Sequence, residues 1–387
     1  MRVERPARRH VALRATGGRR SLPYDGRRGD ASSAGHCKVF GGMSVAVSER
    51  PTVQAKIDTD LWALFTRSGE GWTGGDSTYS VVLPDGRVAW IFSDTFLGPV
   101  NPDRTRPRSA PLIHNSIVVQ DGDQLRTLHG GTRRAPRSLF TPVNGGSWYW
   151  AYAGVIEEDW LRVFLLKFVR YGPEMFDWRW VGADLASLHL PDLSVDAIEP
   201  VPYRTGVQYG AAILEDGDYT YVYGVEDLHA VKYGHVARAK RGALSGPWEF
   251  FAGRRWSSLP EGSARMLDAS IGNEYSVLKT ERGYMLVTMD TAVDLTEWRE
   301  IVAYSSDTPA GPWSGRTVLY TAPEPDRENL FVYNAQAHPA LSKEGELLIT
   351  YNVNTARFDA LYEDADVYRA RFVRVQGVRE HDRAPNA

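Results

Sequence analysis

Cysteine is almost absent from this 387-residue chain: the only one, Cys37, stands near the N-terminus. A single cysteine excludes an intrachain disulfide framework, and beyond position 37 no thiolate remains to ligate a metal. No run of 18 apolar residues occurs, so no segment reads as a transmembrane helix. The basic N-terminus lacks the apolar core of roughly 7–15 residues that a secretory signal needs, so a cytoplasmic address is the default expectation, with secretion left open. Net charge is only −3, which gives no footprint for nucleic acid or an anionic membrane. The motifs GxxxxGK[ST], HExxH and GxSxG do not occur, which removes the P-loop, zinc-protease and nucleophile-elbow readings. No organic cofactor is expected. A channel cation such as calcium has no motif behind it, because no DxDxDG loop with its terminal Glu is present.

Charge is unevenly placed. Residues 1–42 carry ten Lys/Arg against three Asp/Glu, while the remainder carries 35 against 45. The first 42 residues also show no apolar periodicity, so they read as a basic, disordered leader or a mis-assigned start ahead of Met43. Residues 43–59 read as a lead-in, 60–375 as the folded domain and 376–387 as a disordered tail.

What is abundant points to strands. Aromatics make up 11% of the chain, with 36 Gly and 22 Pro, a mixture that favours short strands joined by tight turns. Five segments, 76–96, 149–168, 207–227, 273–291 and 334–355, each read as strand, tight turn, strand, around sequences such as PDG, EDG, ERG and KEG. Their turn positions Asp85, Glu158, Asp216, Arg282 and Glu344 recur every 58 to 73 residues. Further short strands follow each hairpin, and GPW closes two of the repeats at 246–248 and 311–313. Five repeats of four strands predict an all-β chain: a five-bladed β-propeller of four-stranded antiparallel blades. The segment 363–372 is expected to be the last strand and to close the ring with the N-terminal region.

In a propeller the innermost strands converge on one channel mouth. Polar residues at their starts, Asp76, Gln208, Asn273, Glu274, Asn334, Gln336 and His338, are therefore candidates for a site. A three-residue loop at Pro84, Asp85 and Gly86 pairs Leu83 with Arg87, and that register sets Asp76 opposite Asp94. Two carboxyls so close resist joint ionisation, which is the arrangement of a retaining glycosidase. Trp72 and Phe96 flank them as flat faces for a sugar, and His114 and Asn115 open a strand of the same blade.

The run GWTGGDSTYSVVLPDGRVAWIFSDTFLG (71–98), followed by HNS (114–116), resembles the opening blade of the bacterial domain-of-unknown-function 4185 and 5005 groups. Those propellers are similar to glycoside hydrolase families 43 and 183, the latter containing endo-D-arabinanases. The resemblance spans about 60–375 and is most specific over 70–120. It implies that Asp76 and Asp94 carry catalysis; the deeper channel position of Asp76 favours it as the nucleophile. The family 43 pattern of three carboxylates and a channel His fits less well: Asp76, Glu226 and His338 align, but its middle Asp has no counterpart.

The expectation is thus a glycoside hydrolase, endo-D-arabinanase-like by that resemblance, acting as a monomer on a carbohydrate substrate. Catalysis falls to Asp76 and Asp94, and substrate binding to Trp72, Phe96, His114, Asn115, Gln208, Glu274, Asn334 and His338. Glu274 is alternatively paired with Arg265. The rival classes are a non-catalytic carbohydrate-binding propeller and a glycoside phosphorylase, the last needing Arg104, Arg106 and Arg108 to face a phosphate.

Overall fold

The computed structural model describes residues 53–378, apart from 174–176, 230 and 328. The leader at 1–42 and most of the 376–387 tail lie outside the described residues, as does the lead-in before residue 53. Five antiparallel sheets follow one another along the chain. Blade one comprises Trp72–Val82, Val88–Leu97, Ser116–Asp121 and Gln124–Leu128; blade two comprises Ser147–Glu157, Trp160–Arg170, Trp178–His189 and Val195–Pro200. Blade three runs from Gln208–Asp216 through Tyr219–Asp227 and Lys232–Lys240 to Trp248–Phe251, with Trp256–Ser257 as a short fifth strand. Blade four is Tyr275–Thr280, Gly283–Met289, Glu300–Ser306 and Ser314–Thr321. Each blade's first strand contacts the first strand of the next, and the fifth returns to the first, so the chain is a five-bladed propeller.

The turns fall where the acidic and glycine signals place them. In blade one Leu83 and Arg87 bracket the loop, the Gly86 amide bonds the Leu83 carbonyl, and Gly86 takes φ 89°, a left-handed value that glycine adopts without steric cost. Second strands are buried on both faces because a blade lies on either side: in Trp160–Arg170 the stretch from Val163 to Leu166 is solvent-free.

Blade five is assembled from both ends of the domain. Leu330–Ala337, Glu346–Thr355 and Arg371–Gln376 supply three strands and Gln54–Ile57 the fourth, with Gln54 opposite Gln376 and Ile57 opposite Val373. Closure by the N-terminal region therefore holds, while the last strand begins at Arg371 and a 3-10 turn occupies Ala365–Tyr368. Asp58 fastens the seam: one carboxylate oxygen caps the helix Thr59–Phe65 through the amides of Asp60 and Leu61, and the other takes the Arg374 Nε at 2.6 Å.

Candidate active site

First strands run away from the channel mouth and second strands return to it, so Asp76 and Asp94 meet at the mouth of blade one. The expected register holds from Val82 opposite Val88 to Tyr79 opposite Ile91, and resumes where Gly75 faces Thr95. Between them a bulge intervenes: Ser77 and Thr78 adopt φ of 74° and 72°. Direct ladder pairing of Asp76 with Asp94 is thus replaced by a bulge that carries Asp76 out of the pleat. Left-handed non-glycine residues cost energy and persist only where the surroundings hold them. Here Ser77 Oγ donates to Glu274 Oε1 at 2.7 Å, and Asn352 Nδ2 donates to Thr78 Oγ1 at 3.0 Å.

Asp76 Oδ2 accepts from the Tyr333 and Tyr368 hydroxyls, both at 2.8 Å, whereas its buried Oδ1 has no donor. Burial, reinforced by the negative charge of Asp94, raises the Asp76 carboxyl to about 7 against the pull of the two tyrosines. Asp94 is held differently. Its Oδ1 lies 2.9 Å from His114 Nδ1 and accepts from Trp150 Nε1 at 2.9 Å. The His114 ring is half exposed and lies over Trp148, 5.1 Å between centroids and 24° from parallel.

Glu274 lies beneath this pair, buried at 3% exposure. Burial pushes its carboxyl well above the ordinary range, and the nearby Asp76 charge adds to the shift. No basic side chain pairs with it among the described residues. Arg265, its expected partner, instead donates through Nε to Glu226 at 2.7 Å. Gln336 approaches the second Glu274 oxygen at 3.5 Å and accepts from Ser276.

Other expected binding groups divide. Gln208 stays half-buried at the start of its strand, whereas Asn334 is half-buried within Leu330–Ala337, at a bulge where it takes φ 52°. Trp72 does not serve as a platform: it is fully buried, packed on Phe65 and Phe92 at 5.3 and 4.9 Å. Phe96 is equally buried, beneath the Arg106 guanidinium at 4.2 Å and against Tyr368. Asn115 is a strut, its amide bonding the Phe140 and Tyr149 carbonyls and its oxygen accepting the Phe140 amide. His338 is buried below the mouth between Ser80 and Thr350, at 2.7 and 2.8 Å, and burial lowers it to about 3; it is a neutral structural bridge. The three arginines do not converge on a phosphate. Arg106 is buried against Thr73, Arg108 pairs with Asp359, and Arg104 faces Asp364 and Asp366.

Ser77, Trp150, Tyr333 and Tyr368 escape sequence reasoning. Trp150 and Tyr333 lie within the inner strands Ser147–Glu157 and Leu330–Ala337, and only the fold shows that they reach carboxyls in a neighbouring blade. A cavity of about 620 Å³ on the flank of blade five is lined by Lys56, Asp58, Glu346 and Arg374, whose charges already pair with one another.

Fold and site together define a five-bladed propeller with two carboxyls at one channel mouth. Residues 58–378 match the family model described as "Domain of unknown function (DUF5005)", and the chain belongs to that family. No curated protein sequence matches it. Among solved structures, a "putative hydrolase" from Bacteroides ovatus ATCC 8483 is similar, with TM-score 0.73 and 25% identity over 84% of this chain and 90% of that one. More distant are a family GH43_1 enzyme from Xanthomonas citri complexed with xylotriose, at TM-score 0.47 and 12% identity over 82% and 92% of the two chains, and an alpha-L-arabinanase mutant from Cellvibrio cellulosa, at 0.42 and 12% over 78% and 91%.

Proposed function

We propose that the protein is a glycoside hydrolase acting on a polysaccharide or oligosaccharide through Asp76 and Asp94. The observation that carries this reading is the carboxyl pair at the mouth, which burial and mutual repulsion keep holding one proton to about pH 7. Such a pair shares one proton, and the apparent value belongs to both.

In the proposed double displacement the reacting form places the pair's shared proton on Asp94: Asp76 attacks the anomeric carbon as its carboxylate while Asp94 gives that proton to the glycosidic oxygen. The carbon–oxygen bond breaks, the leaving sugar departs as an alcohol, and a glycosyl ester on Asp76 remains. Water then attacks that carbon, Asp94 takes the water's proton, and the ester bond breaks with net retention. Asp76 suits the nucleophile because two tyrosine hydroxyls donate to its Oδ2 and favour its anion. Asp94 suits the acid and base because it borders the half-exposed His114 at the open side.

The likeness of the first blade to glycoside hydrolase family 183 supports a D-arabinan as substrate. The Bacteroides ovatus relative supports hydrolysis more broadly. The test is a product assay against arabinans, galactans and aryl glycofuranosides, with Asp76→Asn and Asp94→Asn in parallel. New reducing ends from the wild type, lost in both variants, are expected. Sugar binding with no cleavage by the wild type would replace this reading with a binding propeller.

A further inference from the structure

The two carboxyls are supported from opposite sides. Asp76 is approached from blade five by the hydroxyl ends of Tyr333 and Tyr368. Asp94 is approached by flat rings: His114, and Trp150 from blade two. Behind His114 those rings form a continuous stack. His114 lies nearly parallel to Trp148, and Trp148 lies nearly parallel to Phe168 at 6.1 Å and 21°. Trp150 bridges Phe168 at 4.3 Å and Trp178 at 4.8 Å. Trp148, Trp150 and Trp178 all remain partly exposed, and His114 has 47% of its side chain exposed. The mouth of blades three and four is of another kind, presenting Gln208, Asp227 and Asn273, with Asn273 Nδ2 donating to Asp227 at 2.8 Å. The stacked rings therefore lie on the Asp94 side of the pair.

We infer that the His114–Trp148 stack, with Trp150 at its edge, is the binding platform for the leaving-group sugar. The inference rests on the hydrolase reading, in which Asp94 protonates the glycosidic oxygen. Whatever holds Asp94 must then border the sugar that departs on that oxygen. A pyranose or furanose presents a face of C–H bonds, and a flat polarisable ring backed by a second ring is complementary to such a face. The sugar that receives the nucleophile lies on the opposite side, over Asp76 and the blade-five tyrosines. The scissile chain then runs from blade five to blade two across blade one. His114 takes a double part, contacting the sugar with its face and Asp94 with its Nδ1.

The test uses His114→Ala, His114→Phe and Trp148→Leu in the full chain, with two readouts. The first is calorimetric binding of arabino- and galacto-oligosaccharides in the Asp76→Asn background, which needs no turnover. His114→Ala and Trp148→Leu should each weaken binding about tenfold, whereas His114→Phe, which keeps a ring without the nitrogen, should hold it within about threefold. Unchanged binding in His114→Ala and Trp148→Leu, or no binding by any member of the panel, overturns the platform.

The second readout compares kcat/KM on the cleaved oligosaccharide with that on the corresponding glycosyl fluoride, whose leaving group needs no platform. In His114→Ala and Trp148→Leu the loss on the oligosaccharide should exceed the loss on the fluoride at least about tenfold. Equal losses on both would mark the stack as structural and overturn the inference. Binding effects without turnover of either substrate would sink the hydrolase reading while leaving a sugar platform in place.

Discussion

At the residue scale the carboxyl at position 76 makes the sharpest statement. Its value near 7 in the folded chain lies above the ordinary 3.8, so the fold favours the protonated form. Stability from this group is complete below about pH 4 and is lost as pH rises through 7. The loss reaches at most about 4 kcal/mol, since each unit is worth about 1.4 kcal/mol, and solvent access at the mouth reduces it. Urea midpoints of the wild type should fall across this window more steeply than those of Asp76→Asn, in which Glu274 is left as the raised carboxyl at the mouth. Asp94→Asn, by removing the like charge, should end the fall at a lower pH. Hydrolysis should decline above about pH 7 as the shared proton leaves. The buried imidazole at 338 gives an opposite kind of prediction. His338→Leu strands the Ser80 and Thr350 hydroxyls and should cost about 2–4 kcal/mol, with KM for the cleaved substrate unchanged within twofold.

At the scale of elements, the hairpins were legible because turn chemistry and two-residue alternation are local. Pro84, Asp85 and Gly86 fixed the blade-one register as far as Tyr79. The bulge beyond it was not legible, because nothing in Ser77 or Thr78 asks for a left-handed backbone. Glu274 from blade four and Asn352 from blade five hold them there. Trp72 and Phe96 misled for a related reason. Alternation says that they share a face but not what covers it, and here Phe65 and the Arg106 guanidinium cover them. The carboxyls at 76, 94 and 274 were named from sequence; their tyrosine and tryptophan donors, contributed by other blades, were not. Glu274 tests how the bulge is held. With no cation beside it and burial favouring its neutral form, Glu274→Gln should keep the bulge and lose less than about 1 kcal/mol. Glu274→Ala frees Ser77 Oγ and opens a cavity, and should cost about 2–4 kcal/mol and at least tenfold in kcat, as Asp76 loses its aim. Chemical denaturation and steady-state rates on the two variants would check both.

At the scale of the whole molecule, the ring depends on a seam. A chain beginning at Thr59 would lack the strand Gln54–Ile57 and the Asp58–Arg374 pair. It should unfold at a lower temperature than the wild type by roughly 5 °C or more, with blade five losing amide protection first in hydrogen exchange. No helix among the described residues is long and apolar enough to cross a membrane. The ring is held by packing of blade on blade and by this closure.

The seam also has a consequence in time. Gln54–Ile57 leaves the ribosome early, yet its partner Arg371–Gln376 is made about 320 residues later. At bacterial or eukaryotic synthesis rates of about 5–20 residues per second, that is a wait of roughly 15–60 s. Throughout it the nascent segment QAKI presents unpaired backbone, the feature through which strands recruit wrong partners. Its composition answers the hazard: four residues, none shielded even in the finished fold, a lysine among them and little apolar surface to hold a stray neighbour. A strand that must wait so long for its mate is built to be unattractive to others.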